Sequence, residues 1–304
     1  MLRELFIGLS TSRALRSFAE HSPIGQKMSR RFVAGTTVEE LLATAEAVNR
    51  RGMTVSVDNL GENVTNPEEA RNSAQVYDRL LDLISQRGLQ ANVSLKLTHM
   101  GLDVDAELAR QLVCGLVDHA ARLDNFVRVD MEGSPYTQRT LELVYELHTR
   151  YPGRVGAVLQ SYMRRSEADA EKLMANGIRI RLCKGAYKEP AEVAFQKKSE
   201  VDANYLRLTK MLLKSGIYHG IATHDEKIIQ QTMRFAIEEN IARDSFEFQM
   251  LHGIRRDLQE HIVREGWRLR VYIPFGAEWY PYLMRRLAER PANVFFVAKN
   301  ILRR

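Results

Sequence analysis

The sequence predicts an α/β chain closed into a (βα)8, TIM-like barrel, distorted, with accessory helices before it and a final helix over its mouth. Short β-rich runs recur eight times with amphipathic segments between them, which argues for a parallel sheet. Eight such units in 304 residues fit a closed barrel. A doubly wound open sheet would usually place a Gly-rich turn after its first strand, and no G-x-G-x-x-G occurs.

The elements follow in order. Residues 1–40 read as N-terminal accessory helices, with Leu2, Leu5, Phe6 and Leu9 on one side to pack against the barrel, and residues 41–304 as the barrel domain. Strands are expected at Met53–Asp58, Asn92–Leu97, Phe126–Glu132, Val155–Gln160, Ile178–Cys183, Ile217–Thr223, Phe246–Met250 and Leu269–Ile273. Between them, Ala106–Ala121 sets Leu108, Leu112, Leu116 and Val117 at helical spacing, and Asp202–Leu213 does so with Tyr205, Leu208, Leu212 and Leu213. Asn66-Pro67-Glu68-Glu69 and Ser166-Glu167-Ala168-Asp169 read as helix starts.

Composition narrows the class. Hydrophobic residues make up 45% of the chain, enough for a large core, and no apolar run approaches a membrane span. The run Leu5–Leu9 is short and no small-residue cleavage site follows it, so no signal peptide is expected. Cys114 and Cys183 are the two cysteines. Neither has a Cys or His neighbour at metal-ligand spacing, so they read as reduced thiols of a cytoplasmic protein, with no metal site. The net charge is +6, but most basic residues alternate with acidic ones along helices, as on solvated faces. No interleaved aromatic-basic pattern points to nucleic acid.

The strands carry a second pattern. Val93, Leu95 and Leu97 alternate with Ser94, Lys96 and Thr98; Val127, Val129 and Met131 alternate with Arg128, Asp130 and Glu132. Ile180 and Leu182 alternate with Arg179, Arg181 and Cys183, and Phe246, Phe248 and Met250 with Glu247, Gln249 and Leu251. The apolar face must meet the outer helices, so the polar face points inward. A closed parallel barrel offers no solvated sheet face. Charge buried there is costly unless it is paired or ligand-bound, so the barrel is expected to hold a large polar ligand.

In barrel enzymes the chemistry sits at the C-terminal strand ends. Those ends supply Asp58 with nearby Glu62, Lys96, Asp130, Gln160, Arg181 with Lys184, His224, Gln249 with Leu251, and Tyr272. After the eighth strand, Tyr282, Arg285, Arg286 and Glu289 fall on one helical face. Each alone reads as a surface charge or a satisfied core group. Together, five cations with fewer acids predict one or two anionic ligands, with arginines suited to bidentate carboxylate or phosphate contacts.

These segments resemble the proline dehydrogenase family. Tyr282-Leu-Met-Arg285-Arg286-Leu-Ala-Glu289 is similar to its Y-x-x-R-R-x-x-E helix, and Arg181-Leu-Cys-Lys184-Gly185-Ala186-Tyr187 to its R-x-x-K-G-A-Y strand end. Ser94-Leu-Lys96-Leu, Val129-Asp130-Met131-Glu132, Gln160-Ser-Tyr162, Ala222-Thr223-His224 and Asn59-Leu-Gly61-Glu62 follow the family in the same order, from about residue 30 onward. The length resembles the monofunctional bacterial enzymes and leaves no room for an aldehyde dehydrogenase half.

The resemblance implies FAD-dependent oxidation of L-proline to 1-pyrroline-5-carboxylate, with electrons passed to a membrane quinone. It assigns FAD to Met131, Gln160, Arg181, Lys184, Gly185, Ala186, Thr223 and His224. It assigns the proline carboxylate to Lys96, Arg285 and Arg286, and the proline ring to Leu251, Tyr272 and Tyr282. Asp130 is expected to orient Tyr272 or Lys96, and Asp130 and Arg181 are the catalytic candidates. Glu62 is expected to pair with an arginine, Arg285 first, as a gate. A quinone acceptor makes peripheral contact with the inner face of the membrane reasonable, and a 1-pyrroline-5-carboxylate dehydrogenase is an expected partner. Two other readings remain: a Schiff-base, aldolase-like lyase using Lys96 or Lys184, and a non-enzymatic basic protein at a membrane surface.

Overall fold

The computed structural model describes residues 22–289, with 16, 17 and 19 besides; the side chains of 23, 24, 26–28 and 285–289 lie outside that description. The packing expected of Leu2, Leu5, Phe6 and Leu9 therefore lies outside the described residues. Among the elements described in full, α1 (Pro23–Phe32) and α2 (Val38–Asn49) come before the sheet. Ser22 caps the first by accepting from the Gly25 amide. Thr37 and Glu40 form a reciprocal capping box on the second.

Eight parallel strands then alternate with helices: β1 (Thr54–Asn59), α3 (Pro67–Gln86), β2 (Ala91–Leu95), α4 (Ala106–Arg122), β3 (Val127–Val129), α5 (Ser134–Arg150), β4 (Val155–Gln160) and α6 (Ser166–Ala175). They continue with β5 (Arg179–Cys183), α7 (Lys198–Lys214), β6 (Gly220–Ala222), α8 (Glu226–Glu238), β7 (Glu247–Leu251), α9 (Arg256–Arg264), β8 (Leu269–Phe275) and α10 (Trp279–Glu289). The strands pair in sequence order and β8 closes onto β1, with Thr54 beside Arg270 and Asn59 beside Phe275. This is the closed α/β barrel that the alternation predicts. Among the described residues no helix is long and apolar enough to cross a membrane.

The two faces of each strand divide as expected. Val55, Val57, Val93, Leu95, Val127, Val129, Ile180, Leu182, Phe248 and Val271 join the helices in one large apolar core. Inside the barrel the polar partners of these residues meet one another. A smaller cluster of Phe32, Val33, Leu60, Trp279, Tyr280, Tyr282 and Leu283 ties α1 and α10 to the loop after β1. That contact lays the final helix against the C-terminal rim of the barrel.

Strand bounds differ from expectation by a few residues, most at β3 and β6, which are three residues each. Asn66 caps α3 as expected, accepting from the Glu69 amide at 2.9 Å. Ser166 does not cap α6. It is the first helical residue, and its hydroxyl donates to the Gln160 carbonyl at 2.6 Å, pinning the end of β4. A hydroxyl with a strong acceptor across the loop has no need of the helix amides.

Candidate active site

The centre of the barrel is a charged layer built around Arg181 on β5. Its Nη1 donates to Asp130 Oδ1 at 2.6 Å and Ser94 Oγ at 3.0 Å, its Nη2 to Ser56 Oγ at 3.0 Å, and its Nε to Gln249 Oε1 at 2.5 Å. Three strands and the residue after a fourth thus hold one guanidinium. Asp130 lies just past β3, and its second oxygen accepts from the Tyr272 hydroxyl at 2.9 Å. The guanidinium also stands 5.1 Å from the Tyr272 ring centroid. Of the two expected partners of Asp130, the direct bond is to Tyr272.

Lys96 instead reaches Asp58, with Nζ to Oδ2 at 3.1 Å. Burial alone would push this lysine down, but the carboxylates of Asp58 and Asp130 outweigh it and hold its pKa above the ordinary value. The ammonium stays charged, as an anion-binding group requires. The Tyr77 hydroxyl adds a 3.3 Å contact to Asp58 Oδ1. Burial, with Asp130 as the next cause, keeps the Tyr272 phenol protonated far above its usual range.

A second group lies around β4, β5 and β6. The Gln160 side chain is buried at the end of β4. Its Nε2 makes a long 3.4 Å contact to the Met131 carbonyl, and its Oε1 has no partner among the described residues. A buried carboxamide oxygen without a donor is rare and suits a ligand N–H. Lys184 is braced by Asp225 at 2.9 Å and Asp202 at 2.6 Å. Gly185 follows at φ +107°, and a Cβ there would lie 2.3 Å from the Tyr162 ring. Only glycine permits this turn, which carries the backbone past half-buried Ala186.

Thr223 and His224 fill the turn into α8. The Thr223 hydroxyl accepts from the Asp225 amide at 3.1 Å, and His224 Nε2 accepts from the Leu251 amide at 2.8 Å. His224 and Leu251 are therefore in direct contact. Glu62 lines a cleft of about 450 Å³ with Gly61, His99, Glu278 and Pro281, between the loop after β1 and α10. Tyr282 is buried on α10 against Leu60 and Phe32. Arg285 and Arg286 continue that helix, but their side chains, and any pairing of Arg285 with Glu62, lie outside the described residues.

Asp130, Arg181 and Tyr272 form one hydrogen-bonded network with Ser94, and the Lys96–Asp58 pair meets it at Tyr272. The structure also adds residues that the sequence reading left without a role. Asp58 is the counter-ion of Lys96, and Asp202 and Asp225 hold Lys184. Ser56, Ser94 and Gln249 complete the shell of Arg181. For Asp58, Ser94 and Gln249 the signal was present as polar positions on the strands. Glu132 turns away to Thr98, whose amide and hydroxyl donate to its carboxylate at 3.1 and 2.5 Å.

Residues 41–299 match the family model described as proline dehydrogenase. Proline dehydrogenase 1 of Bacillus subtilis (strain 168) is 39% identical, with all of both chains covered. The proline dehydrogenase of Deinococcus radiodurans is 39% identical across 91% of this chain and 90% of its own. Among solved structures, proline utilization A from Bdellovibrio bacteriovorus superposes with a TM-score of 0.83 at 27% identity, over 88% of this chain and 33% of that one.

Proposed function

The chain belongs to the proline dehydrogenase family, and on that premise we propose that it oxidises L-proline to 1-pyrroline-5-carboxylate with FAD held at the barrel mouth. The observation that carries the cofactor reading is Gln160. Its buried carboxamide oxygen has no partner among the described residues, and its strand end pairs with Cys183, two residues before the turn at Gly185. The donor set suits FAD. Gln160 fits the flavin pyrimidine edge, the amides around Lys184, Gly185 and Ala186 fit the pyrophosphate, and Met131, Thr223 and His224 complete the seat. FAD supplies a two-electron hydride acceptor that no side chain can provide.

The remaining chemistry belongs to side chains. Lys96, kept charged by Asp58, takes the substrate carboxylate together with Arg285 and Arg286. Leu251, Tyr272 and Tyr282 wall the ring. Asp130 fixes Tyr272 and Arg181 at once, so one carboxylate sets both the substrate wall and the cation that favours negative charge developing on the cofactor. Its two oxygens already accept from Ser94, Arg181 and Tyr272. With both oxygens so engaged, we assign the amine proton to solvent. Glu62 gates the entrance.

Electrons leave to a membrane quinone, which puts the enzyme in the cytoplasm with peripheral contact at the inner face. A 1-pyrroline-5-carboxylate dehydrogenase takes the product. The Schiff-base reading needs a lysine with a depressed pKa. Lys96 is shifted the opposite way, and Lys184 is braced by two aspartates. The test is the visible spectrum of the purified protein before and after anaerobic L-proline. Yellow protein that bleaches without added NAD supports the proposal; colourless protein that cannot be reconstituted with FAD overturns it.

A further inference from the structure

We propose that Glu247 and Gln249 are positioning residues for Arg181: the Glu247 carboxylate orients the Gln249 carboxamide, which fixes the guanidinium where the cofactor needs it. The functional half of this inference rests on the FAD reading above; the positional half does not.

A carboxamide has two similar ends, and its neighbours decide which end faces which way. Here both neighbours are unambiguous. Glu247 Oε1, an acceptor, receives Gln249 Nε2 at 2.6 Å. Arg181 Nε, a donor, meets Gln249 Oε1 at 2.5 Å. Turning the carboxamide over would set two donors face to face at one end and two acceptors at the other.

Glu247 is itself immobile. It accepts from Arg270 Nε at 2.6 Å and the Tyr218 hydroxyl at 2.9 Å. Arg270 continues to the Val55 carbonyl at 2.7 Å and Asn92 Oδ1 at 2.8 Å. Burial would raise the Glu247 pKa, but Arg270 outweighs it and keeps the carboxylate ionised. Gly220 leaves the space for this arrangement, since a Cβ there would lie 2.3 Å from Gln249 Nε2. A chain of polar contacts thus runs up the barrel from Asn92 to Arg181.

Its effect at the upper end is geometric. Arg181 uses four of its five N–H groups on Gln249, Asp130, Ser94 and Ser56, and the fifth has no partner among the described residues. Asp130 alone would draw the guanidinium to one side. The Gln249 oxygen opposes that pull, so the free N–H keeps one direction. An anionic reduced cofactor would be favoured only while that direction holds.

The test uses the full chain labelled with 15N-arginine, with the Arg181 Nε–H signal assigned by its loss in Arg181→Lys. Exchange of that proton with water should accelerate at least tenfold in Gln249→Leu and Gly220→Ala. The charge swap Glu247→Gln with Gln249→Glu keeps an acceptor against Arg181 and should restore slow exchange. In the FAD-loaded protein, Gln249→Leu should lose roughly tenfold of the preference for reduced over oxidised cofactor, about 30 mV for a two-electron couple, and the swap should recover it. Unchanged exchange in both single variants overturns the inference. Faster exchange with an unshifted potential overturns its functional half. Faster exchange in a protein that takes up no FAD supports the positioning and overturns the flavin reading alone.

Discussion

At the N-terminal half of the barrel interior, Glu247 collects donors from Arg270, Gln249 and Tyr218, and Arg270 passes on to Asn92 and Val55. At the C-terminal half, Gln160 keeps a bare carboxamide oxygen and Arg181 an unpaired N–H among the described residues. The same strands and the same alternation build both levels. The lower level satisfies its charges within the protein, while the upper level leaves donors and acceptors open. Polar residues inside a barrel are thus not one class. Those at the bottom replace an apolar core, and those at the top keep polar atoms open at the barrel mouth.

The largest effect expected is on stability at the lower level. Arg270→Met would leave the Glu247 carboxyl buried without its counter-ion, so that it must either protonate or stand as an unpaired charge. Removing one partner of a buried pair costs about 3–5 kcal/mol, and urea unfolding of the cofactor-free variant should show it. A loss below about 1 kcal/mol would mean that the lower level is not a structural core. Next comes Asp130→Asn at the upper level. Its stability should change less, but Tyr272 and Arg181 lose their common anion. A desolvated pair broken this way costs about 2–5 kcal/mol, or tens- to thousands-fold in kcat/KM for proline. Unaltered steady-state kinetics would remove Asp130 from the site.

The distinction between levels was only half legible in the sequence. Alternation reveals which side chains face inward, because strand residues two apart share a face. It read Arg181, Asp130 and Lys96 as inward, and the order of strand ends placed them and Tyr272 at the mouth. It could not tell which inward residue meets which across the barrel. Asp58 and Lys96 are on neighbouring strands, yet nothing in their spacing selects that pair over Asp130 with Lys96. The span from Arg270 through Glu247 and Gln249 to Arg181 depends on strand stagger, which period-two patterning does not encode. Ser166 misled for a related reason: a capping residue type also serves as a donor wherever a nearer acceptor exists.

Acid stability gives an effect of intermediate size at the start of β6. His219 is fully buried before β6, where its Nδ1 accepts from the Ile180 amide at 3.0 Å. Burial, with Arg128 nearby, pushes its pKa down to about 3. Unfolded histidine binds its proton near pH 6.5. Between these values the unfolded state binds more protons, so stability falls as pH drops from about 6.5 toward 3. The slope is about 1.4 kcal/mol per pH unit for one such group. Between pH 6.5 and 5 the wild type should lose about 2 kcal/mol more than His219→Asn, whose amide oxygen still accepts from Ile180. Parallel losses in urea titrations at the two pH values would mean that His219 is not held neutral.

The smallest effect is the sharpest separation of the two levels, because its sign differs between them. Gln160→Leu replaces a carboxamide by an apolar group of similar size. At the lower level such a change would strand a partner. At the upper level the Gln160 oxygen has no partner to strand, and its amide makes only the 3.4 Å contact to Met131. Deleting an unsatisfied buried polar group removes a desolvation cost of about 1–3 kcal/mol, so the cofactor-free variant should be as stable as wild type or more so. Cofactor binding should move the other way. One neutral hydrogen bond is worth about 0.5–1.5 kcal/mol, so FAD affinity should fall roughly two- to tenfold. Urea unfolding of cofactor-free protein and fluorescence titration with FAD read the two effects separately. A variant that loses stability without FAD while binding it normally would place Gln160 with Glu247, among the groups that hold the barrel together.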